Sequence, residues 1–350
     1  MFGTEISAMV RVMKQHNAEL QAGARAIDHI RAAGGVVWDN HLCMPLRCED
    51  SFLPDLERCR VSGLDVVSLN VGFGDQSIEE HIRILAYFRA WISRHADKYV
   101  IPRTVADIRA AKAAGKLSVV FDIEGMRAVD EEPALVQLYY DLGVKWMLVA
   151  YNRNNKAGGG CQDDDQGLTD LGRRIIDEME RVGMVVCCSH TGYRTAREVL
   201  EYARKPVLFS HSNPRALVEH PRNIPDDLMD SCAATGGVVG INGVGKFLGD
   251  MSASTDAIVR HLDYAVERIG VDHVGLSLDY CFDEAELENY IKAHPELFPP
   301  EQGYTSGFTI ARPEQYPEIT DALLERGYDE KDVAKILGLN FLRVAEQVWR

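Results

Sequence analysis

Side chains that can bind a metal ion follow short apolar stretches at several points along the chain. The first example is the segment 36–43, VVWDNHLC, in which an apolar run gives way to an aspartate, a histidine and a cysteine. The same arrangement recurs further on, and the metal-competent residues that it delivers are His41, Cys43, Glu124, His190, His211 and Asp279. Imidazole nitrogen, carboxylate oxygen and thiolate sulfur together form the ligand set of zinc sites. The pattern therefore predicts a centre that holds one or two zinc ions.

Such a centre suits the hydrolysis of an amide bond. Two metal ions that share the carboxylate of Glu124 would activate a water molecule and polarise a carbonyl group. In this interpretation Asp279 is the general base that receives the proton of the attacking water. The alternatives are structural: Glu124 and Asp279 could only cap the helices that follow them, and Cys43 could be a packed apolar residue.

The elements that must position these side chains are short apolar strands separated mostly by helices. Continuous apolar strands of this kind are typical of parallel strands buried on both faces. Eight are predicted, at residues 36–41, 64–70, 117–123, 146–150, 184–188, 206–209, 237–241 and 273–278. An α/β fold of the (β/α)8 TIM-barrel type is the natural closure, and it would bring all the carboxyl ends of the strands to one face. A doubly wound open sheet is the alternative, but no GxGxxG fingerprint follows the first strand.

The eight predicted strands and their helices do not account for the whole chain. We predict a single domain over residues 1–350, with an extra helix at 17–31, an insertion at about 283–311 and C-terminal helices over 313–350. The insertion is aromatic and proline-rich, and it could be either a lid or a packed excursion. Helix starts are predicted at Ser77, which has Glu80 three residues on, and at Thr169.

Composition limits the partners. The chain of 350 residues has a formal net charge of −15 and no basic run, which argues against nucleic acid and anionic membrane surfaces. No stretch approaches the ~18 apolar residues of a membrane span, and the first residues lack the layout of a secretory signal. Eight cysteines without a CxxC pair indicate a reduced, cytoplasmic protein.

With these residues in place, the chain resembles the membrane (renal) dipeptidase family of amidohydrolase-type metallohydrolases. The motifs that carry the resemblance are Ile123-Glu124-Gly125, Phe209-Ser210-His211-Ser212, the segment 222–227 (RNIPDD) and the segment 338–344 (GLNFLRV). The resemblance implies two zinc ions bridged by Glu124, one held also by the pair His41 and Cys43, the other by His190 and His211. It also implies a dipeptide substrate, a homodimer, Asp279 as the strand-end aspartate and Arg222 as the residue that binds the substrate carboxylate. From the residues alone, Arg222 could instead be a surface arginine or an ion-pair partner.

Three positions depart from the family pattern. The first motif ends in Cys43 where the family has aspartate, Tyr151 occupies the place of a histidine that binds the substrate carbonyl, and the run around Asp279 lacks the usual glycines. Tyr151 could donate a hydrogen bond to a developing oxyanion, and its neighbour Asn152 is a candidate substrate contact. Two alternatives to a dipeptidase therefore stay open: a barrel that catalyses another reaction, such as a different C–N hydrolysis, an isomerisation or an elimination, and a non-catalytic binding protein.

Overall fold

A computed structural model describes residues 26–304, 307 and 309–350 of the chain. Its centre is a parallel sheet of ten strands. The strands are β1 (Trp38–Cys43), β2 (Val66–Phe73), β3 (Tyr99–Val100), β4 (Leu117–Glu124), β5 (Val144–Leu148), β6 (Val185–Cys187), β7 (Leu208–Phe209), β8 (Val238–Asn242), β9 (Val274–Ser277) and β10 (Tyr280–Cys281). The sheet order is β10-β1-β2-β4-β5-β6-β7-β8-β9, and β3 is a short addition that pairs only with β4. The eight predicted strands are confirmed.

The sheet closes into a barrel between the last strands and the first. β9 and β10 are separated by two residues, and β10 pairs in parallel with β1, with Leu42 beside Tyr280. The buried Asp39 strengthens this seam, because its Oδ1 accepts the backbone N–H groups of His41 at 3.3 Å and of Leu278 at 3.1 Å. The predicted (β/α)8 TIM-type fold is therefore confirmed.

Helices follow most of the strands and cover the outside of the barrel. The α-helices are Leu56–Val61, Ile78–Arg94, Val105–Ala113, Leu135–Asp141, Asp170–Val182, Tyr193–Tyr202, Asp226–Ala234, Gly245–Leu248, Thr255–Ile269, Glu284–Ala293, Tyr316–Glu325, Glu330–Ala334 and Asn340–Val348. Both predicted caps are present: Ser77 forms a capping box with Glu80, and the Thr169 hydroxyl accepts the N–H of Gly172. Each cap satisfies an N–H group that the first helical turn leaves without an intrahelical partner. Of the predicted N-terminal helix, residues 26–32 are helical and residues 17–25 lie outside the described residues.

The C-terminal helices close one end of the barrel. Phe341 and Val344 of the last helix belong to the same apolar cluster as Val66 and Val238, which begin their strands. The chain approaches β1 closely just before this helix, since a Cβ on Gly338 would lie 2.4 Å from the carbonyl oxygen of Val36. The opposite end of the barrel, where the strands finish, is thus left for the site. Across the described part of the chain, no helix combines the length and apolarity that a bilayer crossing requires.

Candidate metal centre

The carboxyl ends of the strands bring the predicted ligands together. His41 lies within β1 and Glu124 ends β4, whereas the other three residues stand in the connections that follow β6, β7 and β9: His190, His211 and Asp279. Parallel strands present their carboxyl ends at one face of a barrel, so residues far apart in sequence become neighbours there. The structure thus gathers four of the five predicted metal ligands, together with Asp279, the predicted general base, into one largely buried cluster.

The first group of ligands surrounds one carboxylate oxygen. Glu124 Oε1 lies 3.3 Å from His190 Nε2, 3.2 Å from His211 Nε2 and 3.6 Å from His41 Nε2. The two nitrogens of His190 and His211 are themselves only 3.0 Å apart. Glu124 is 3% exposed, and its Oε1 has no hydrogen-bond partner among the described residues.

The second group shares a histidine with the first. His41, His211 and Asp279 offer ligand atoms that all lie within 4.8 Å of one another, as do those of Glu124, His190 and His211. His41 Nε2 is 3.4 Å from Asp279 Oδ1, and the His41 ring stacks on the His211 ring with centroids 4.1 Å apart. Two overlapping groups of this kind offer room for one or two cations.

The donor set fits a metal ion. A buried carboxylate oxygen without a donor is costly, and the cost disappears when a cation takes the space between the oxygen and the facing nitrogens. Imidazole and carboxylate are ligands that zinc accepts. The structure therefore supports a metal centre through the chemistry of its own residues.

Burial and neighbouring charges set the protonation of these ligands. Burial, the Arg222 cation and His41 hold the pKa of His190 well below its ordinary value, and burial with the charges of His41 and Arg222 does the same for His211. Both imidazoles are thus neutral, which is the form that binds metals. Burial raises the pKa of Glu124 to about 8, although the positive charge of His41 opposes the rise. Burial alone would lower the pKa of His41, but the carboxylates of Asp122 and Glu124 outweigh it and raise that pKa well above its ordinary value.

The second ring nitrogen of each histidine is held by another protein group. His41 Nδ1 faces Asp122, His190 Nδ1 lies 2.7 Å from Asn152 Oδ1, and His211 Nδ1 lies 2.8 Å from Ser210 Oγ. Such contacts select the tautomer and orient the ring toward a metal. Sequence reasoning missed Asp122 and Ser210 in this role. The signal for Asp122 was its place two residues before Glu124 on one strand, which directs both side chains to the same face.

Asn152 has partners on both ends of its amide. Its Oδ1 faces His190, and its Nδ2 donates to the carbonyl oxygen of Leu297 at 3.2 Å. Asn152, His190 and Asp279 also have positive φ angles of 57°, 61° and 58°. Residues other than glycine adopt this backbone conformation at a cost, and such residues cluster at functional sites. These contacts make Asn152 a residue that positions His190, and its predicted contact with substrate stays a prediction.

Cys43 stands at the margin of the cluster. Its Sγ is 3.5 Å from His41 Nε2, yet Cys43 belongs to neither of the two compact groups. It is paired in register with Cys281 on β10, and the hydrogen bond between the two thiols, together with burial, raises the pKa of Cys43 well above its ordinary value. Asp279 Oδ1 and Cys43 Sγ thus both lie near His41 Nε2, at 3.4 Å and 3.5 Å, and Asp279, unlike Cys43, belongs to a compact group with His41. Metal binding by Cys43 stays a prediction.

Tyr151 and Arg222 line the cavity in front of the cluster. The Tyr151 ring stacks on the His190 ring with centroids 4.2 Å apart. Arg222 is 3% exposed, its Nη2 donates to the carbonyl oxygen of His211 at 3.3 Å, and its Nε has no hydrogen-bond partner among the described residues. The cavity has a volume of about 420 Å³ and is bordered by Tyr151, Arg222, Glu124 and Asp279. A buried guanidinium with an unused donor is suited to a carboxylate.

The insertion forms the outer wall of the same cavity. Its helix Glu284–Ala293 contributes Tyr290 and Ile291, and the segment beyond contributes Phe298 and Tyr304. Ile291, Phe298 and Tyr304 are buried. The insertion therefore lines the site, and whether it acts as a lid or is a packed excursion stays a prediction.

A (β/α)8 barrel that brings buried histidines and carboxylates together at its strand ends, beside one cavity, has the arrangement of a metal-dependent hydrolase. Comparison with known proteins gives the family. The model of the membrane dipeptidase family (peptidase family M19) matches residues 55–298 and 306–350, and the chain belongs to this family.

Individual relatives agree with this assignment. Dipeptidase verJ of Clonostachys rogersoniana is 27% identical over 319 residues, which cover 90% of this chain and 73% of that protein. The uncharacterized dipeptidase C965.12 of Schizosaccharomyces pombe is 30% identical over 246 residues, which cover 68% of this chain and 54% of that protein. The chain thus spans between about half and three quarters of the length of these relatives.

Solved structures share the fold. The amidohydrolase from Pseudomonas aeruginosa superposes with a TM-score of 0.82 at 27% identity, over 92% of this chain and 99% of that one. A metallo peptidase from Rhodobacter sphaeroides, liganded with a phosphinate mimic of the dipeptide L-Ala-D-Ala, superposes with a TM-score of 0.72 at 21% identity, over 90% of this chain and 99% of that one.

Proposed function

We propose that this protein is a zinc-dependent dipeptidase, which hydrolyses the amide bond of a small substrate with a free carboxylate. The observation that carries the proposal is the position of Glu124 Oε1, buried, without a hydrogen-bond partner among the described residues and within 3.6 Å of the Nε2 atoms of three histidines. The family and the names of the relatives support the dipeptide as substrate.

In this proposal Glu124, His190 and His211 would hold one zinc ion. Glu124 and His41 would hold a second, with Cys43 as a further ligand. Zinc in these sites would supply a Lewis acid for the scissile carbonyl and would lower the pKa of a water molecule.

The residues of the chain orient the substrate and move the proton. Arg222 binds the substrate carboxylate through its guanidinium, which fixes the scissile bond above the cluster. Asn242 Nδ2 donates to Asp279 Oδ2 at 2.7 Å, so that Oδ1 is turned toward His41 and is placed to accept the proton of the attacking water. Burial raises the pKa of Tyr151 well above its ordinary value, so its hydroxyl stays protonated and can donate a hydrogen bond to the developing oxyanion.

The test is a metal analysis of gently purified protein, paired with a screen of dipeptides and N-acyl amino acids. We expect at least one zinc per chain and release of free amino acid that stops when a chelator removes the metal. Less than one zinc per chain, or no hydrolysis after zinc has been restored, would contradict the proposal.

A second candidate is a non-peptidase reaction of a carboxylate-bearing substrate in the same pocket. The position of Cys43 outside both compact groups favours it, because one of the two metal sites would then lack the ligand that the family pattern provides. It is refuted if wild type and Cys43→Asp both release amino acid from a dipeptide. The homodimer and the cytoplasmic location stay predictions, and light scattering of the purified chain tests the first.

A further inference from the structure

The wall of the cavity that faces the metal cluster is built of aromatic rings in contact with one another. Phe73 and Tyr290 have ring centroids 5.3 Å apart, and Tyr290 and Phe298 have theirs 5.9 Å apart. The series continues from Phe298 to Tyr304 at 5.4 Å and from Tyr304 to Phe247 at 6.3 Å. We call these five residues, Phe73, Tyr290, Phe298, Tyr304 and Phe247, the aromatic arch; all of them line the cavity.

The arch spans the cavity from one side of the site to the other. At one end the Phe73 ring lies 5.1 Å from the Tyr151 ring. At the other end the guanidinium of Arg222 lies 5.5 Å from the centre of the Phe247 ring. Three of its members come from the insertion, whereas Phe73 ends β2 and Phe247 follows β8. The insertion therefore completes a surface that two strand ends begin.

Aliphatic side chains also line the cavity. Met44 and Leu46 follow β1, and Leu287 and Ile291 belong to the helix of the insertion. Because Arg222 is at the Phe247 end of the arch, a dipeptide whose carboxylate bound Arg222 and whose amide bond lay at Glu124 would extend its amino-terminal residue toward the Phe73 end.

The acidic residues at the rim of the cavity already have partners within the protein. Glu80 accepts the N–H of Ser77 at 2.7 Å, Asp283 accepts the N–H of Glu286 at 2.9 Å, and Glu286 is paired with Arg47. His294 lies 3.0 Å from Glu296 through its Nδ1. Burying a charged side chain of a substrate against this wall would thus be costly, and burying an apolar one would be favourable.

We propose that the aromatic arch and its aliphatic neighbours are the specificity surface of the enzyme, and that they select dipeptides whose amino-terminal residue has a large apolar side chain. This inference rests on the proposed dipeptidase function. The physical basis is the apolar area that such a side chain removes from water when it enters the cavity that Phe73, Tyr290 and Leu287 line.

The test compares kcat/KM of the zinc-loaded full chain for dipeptides that share a carboxy-terminal alanine and differ in the first residue: phenylalanine, leucine, glycine, aspartate and lysine. A pocket that accommodates added apolar groups discriminates by about tenfold or more, so we expect the first two to exceed glycine by at least that factor. Aspartate and lysine are expected to fall to the level of glycine or below.

Two variants and a control locate the effect. Tyr290→Ala is expected to lower kcat/KM for the phenylalanine substrate by about tenfold while it changes that for the glycine substrate little. Leu287→Glu, at a half-buried position, is expected to raise kcat/KM for the lysine substrate relative to kcat/KM for the leucine substrate. Tyr87→Ala removes an aromatic ring outside the cavity, where the hydroxyl donates to Asp50, and is expected to leave the profile unchanged.

The outcomes separate this inference from the function on which it rests. Hydrolysis at equal kcat/KM across the panel would support a dipeptidase and overturn the selectivity. If no dipeptide is hydrolysed, the proposed function fails, and calorimetric binding of the phenylalanine and glycine dipeptides decides the inference. Equal binding of the two overturns it, and tighter binding of the first, lost in Tyr290→Ala, upholds it.

Discussion

His41 Nδ1 lies 3.3 Å from Asp122 Oδ1, and both side chains are buried in the barrel. Asp122 is held in turn by Asn70, whose Nδ2 donates to its Oδ1 at 3.0 Å. The contact leaves His41 Nε2 free to face Glu124 and Asp279. It makes Asp122 a positioning residue that acts through His41.

Replacing Asp122 by asparagine tests this relationship. The amide cannot orient the imidazole as the carboxylate does, so we expect a loss of metal affinity of about 10- to 100-fold. Competition with a chromophoric chelator measures it. Asn70→Ser is the companion variant and is expected to cause a smaller loss of metal affinity, since Asn70 contacts Asp122 and acts on His41 only through it. Unchanged affinity in Asp122→Asn would contradict the role.

Glu124→Gln removes the carboxylate on which three histidines converge. The amide keeps the size of the side chain but loses its negative charge, so we expect metal content below half that of wild type after dialysis. Elemental analysis is the measurement. The control is Glu180→Gln, because Glu180 is a buried carboxylate that pairs with Arg204 outside the cluster. This variant should keep the metal content of wild type.

Arg222→Met tests the carboxylate-binding residue. Methionine fills part of the space without the charge, and removal of a charge-assisted contact is expected to lower kcat/KM by about 100-fold, mostly through KM. Substrates whose carboxylate is converted to a carboxamide should respond weakly to the variant, because they lack the partner of the guanidinium. An equal loss for both substrate forms would assign Arg222 a structural role instead.

Cys43 and Cys281 form a matched pair for testing thiolate ligation. The two residues are neighbours in register on β1 and β10, but Cys43 Sγ lies 3.5 Å from the ring nitrogen His41 Nε2, whereas Cys281 Sγ faces the backbone carbonyl oxygen of Asp279 at 3.9 Å. If Cys43 binds metal, the cobalt-substituted protein has a sulfur-to-cobalt charge-transfer absorption, which Cys43→Ser abolishes and Cys281→Ser retains. Absence of the band in wild type would remove Cys43 from the ligand set.

Gly338→Ala tests the junction between the C-terminal segment and the barrel. The added Cβ would meet the carbonyl oxygen of Val36 at 2.4 Å and the backbone nitrogen of Trp38 at 2.8 Å, and backbone atoms yield little. Overpacking of this kind costs about 1–3 kcal/mol of unfolding free energy, and a lower Tm in calorimetry is the measurement. A Tm equal to that of wild type would show that the segment shifts to relieve the contact.

Much of the site could be predicted from the order of residue types. A continuous apolar pattern identifies the strands that carry His41 and Glu124 and those that His190, His211 and Asp279 follow. The barrel brings such positions together whatever their separation in sequence. The helix caps at Ser77 and Thr169 were likewise local features. What these predictions share is that each depends on a few adjacent residues and on one general property of parallel barrels.

The sequence by itself thus determined the fold class, the ligand types and the strand ends that carry them. Only the tertiary structure decided which groups touch: Asp122 behind His41, Asn152 behind His190, and Cys281 beside Cys43. The same holds for the aromatic arch, whose rings come from two strand ends and the insertion. Contacts between distant residues depend on strand register and on how loops pack, and both follow from interactions summed over the whole barrel. A local pattern does not contain that sum.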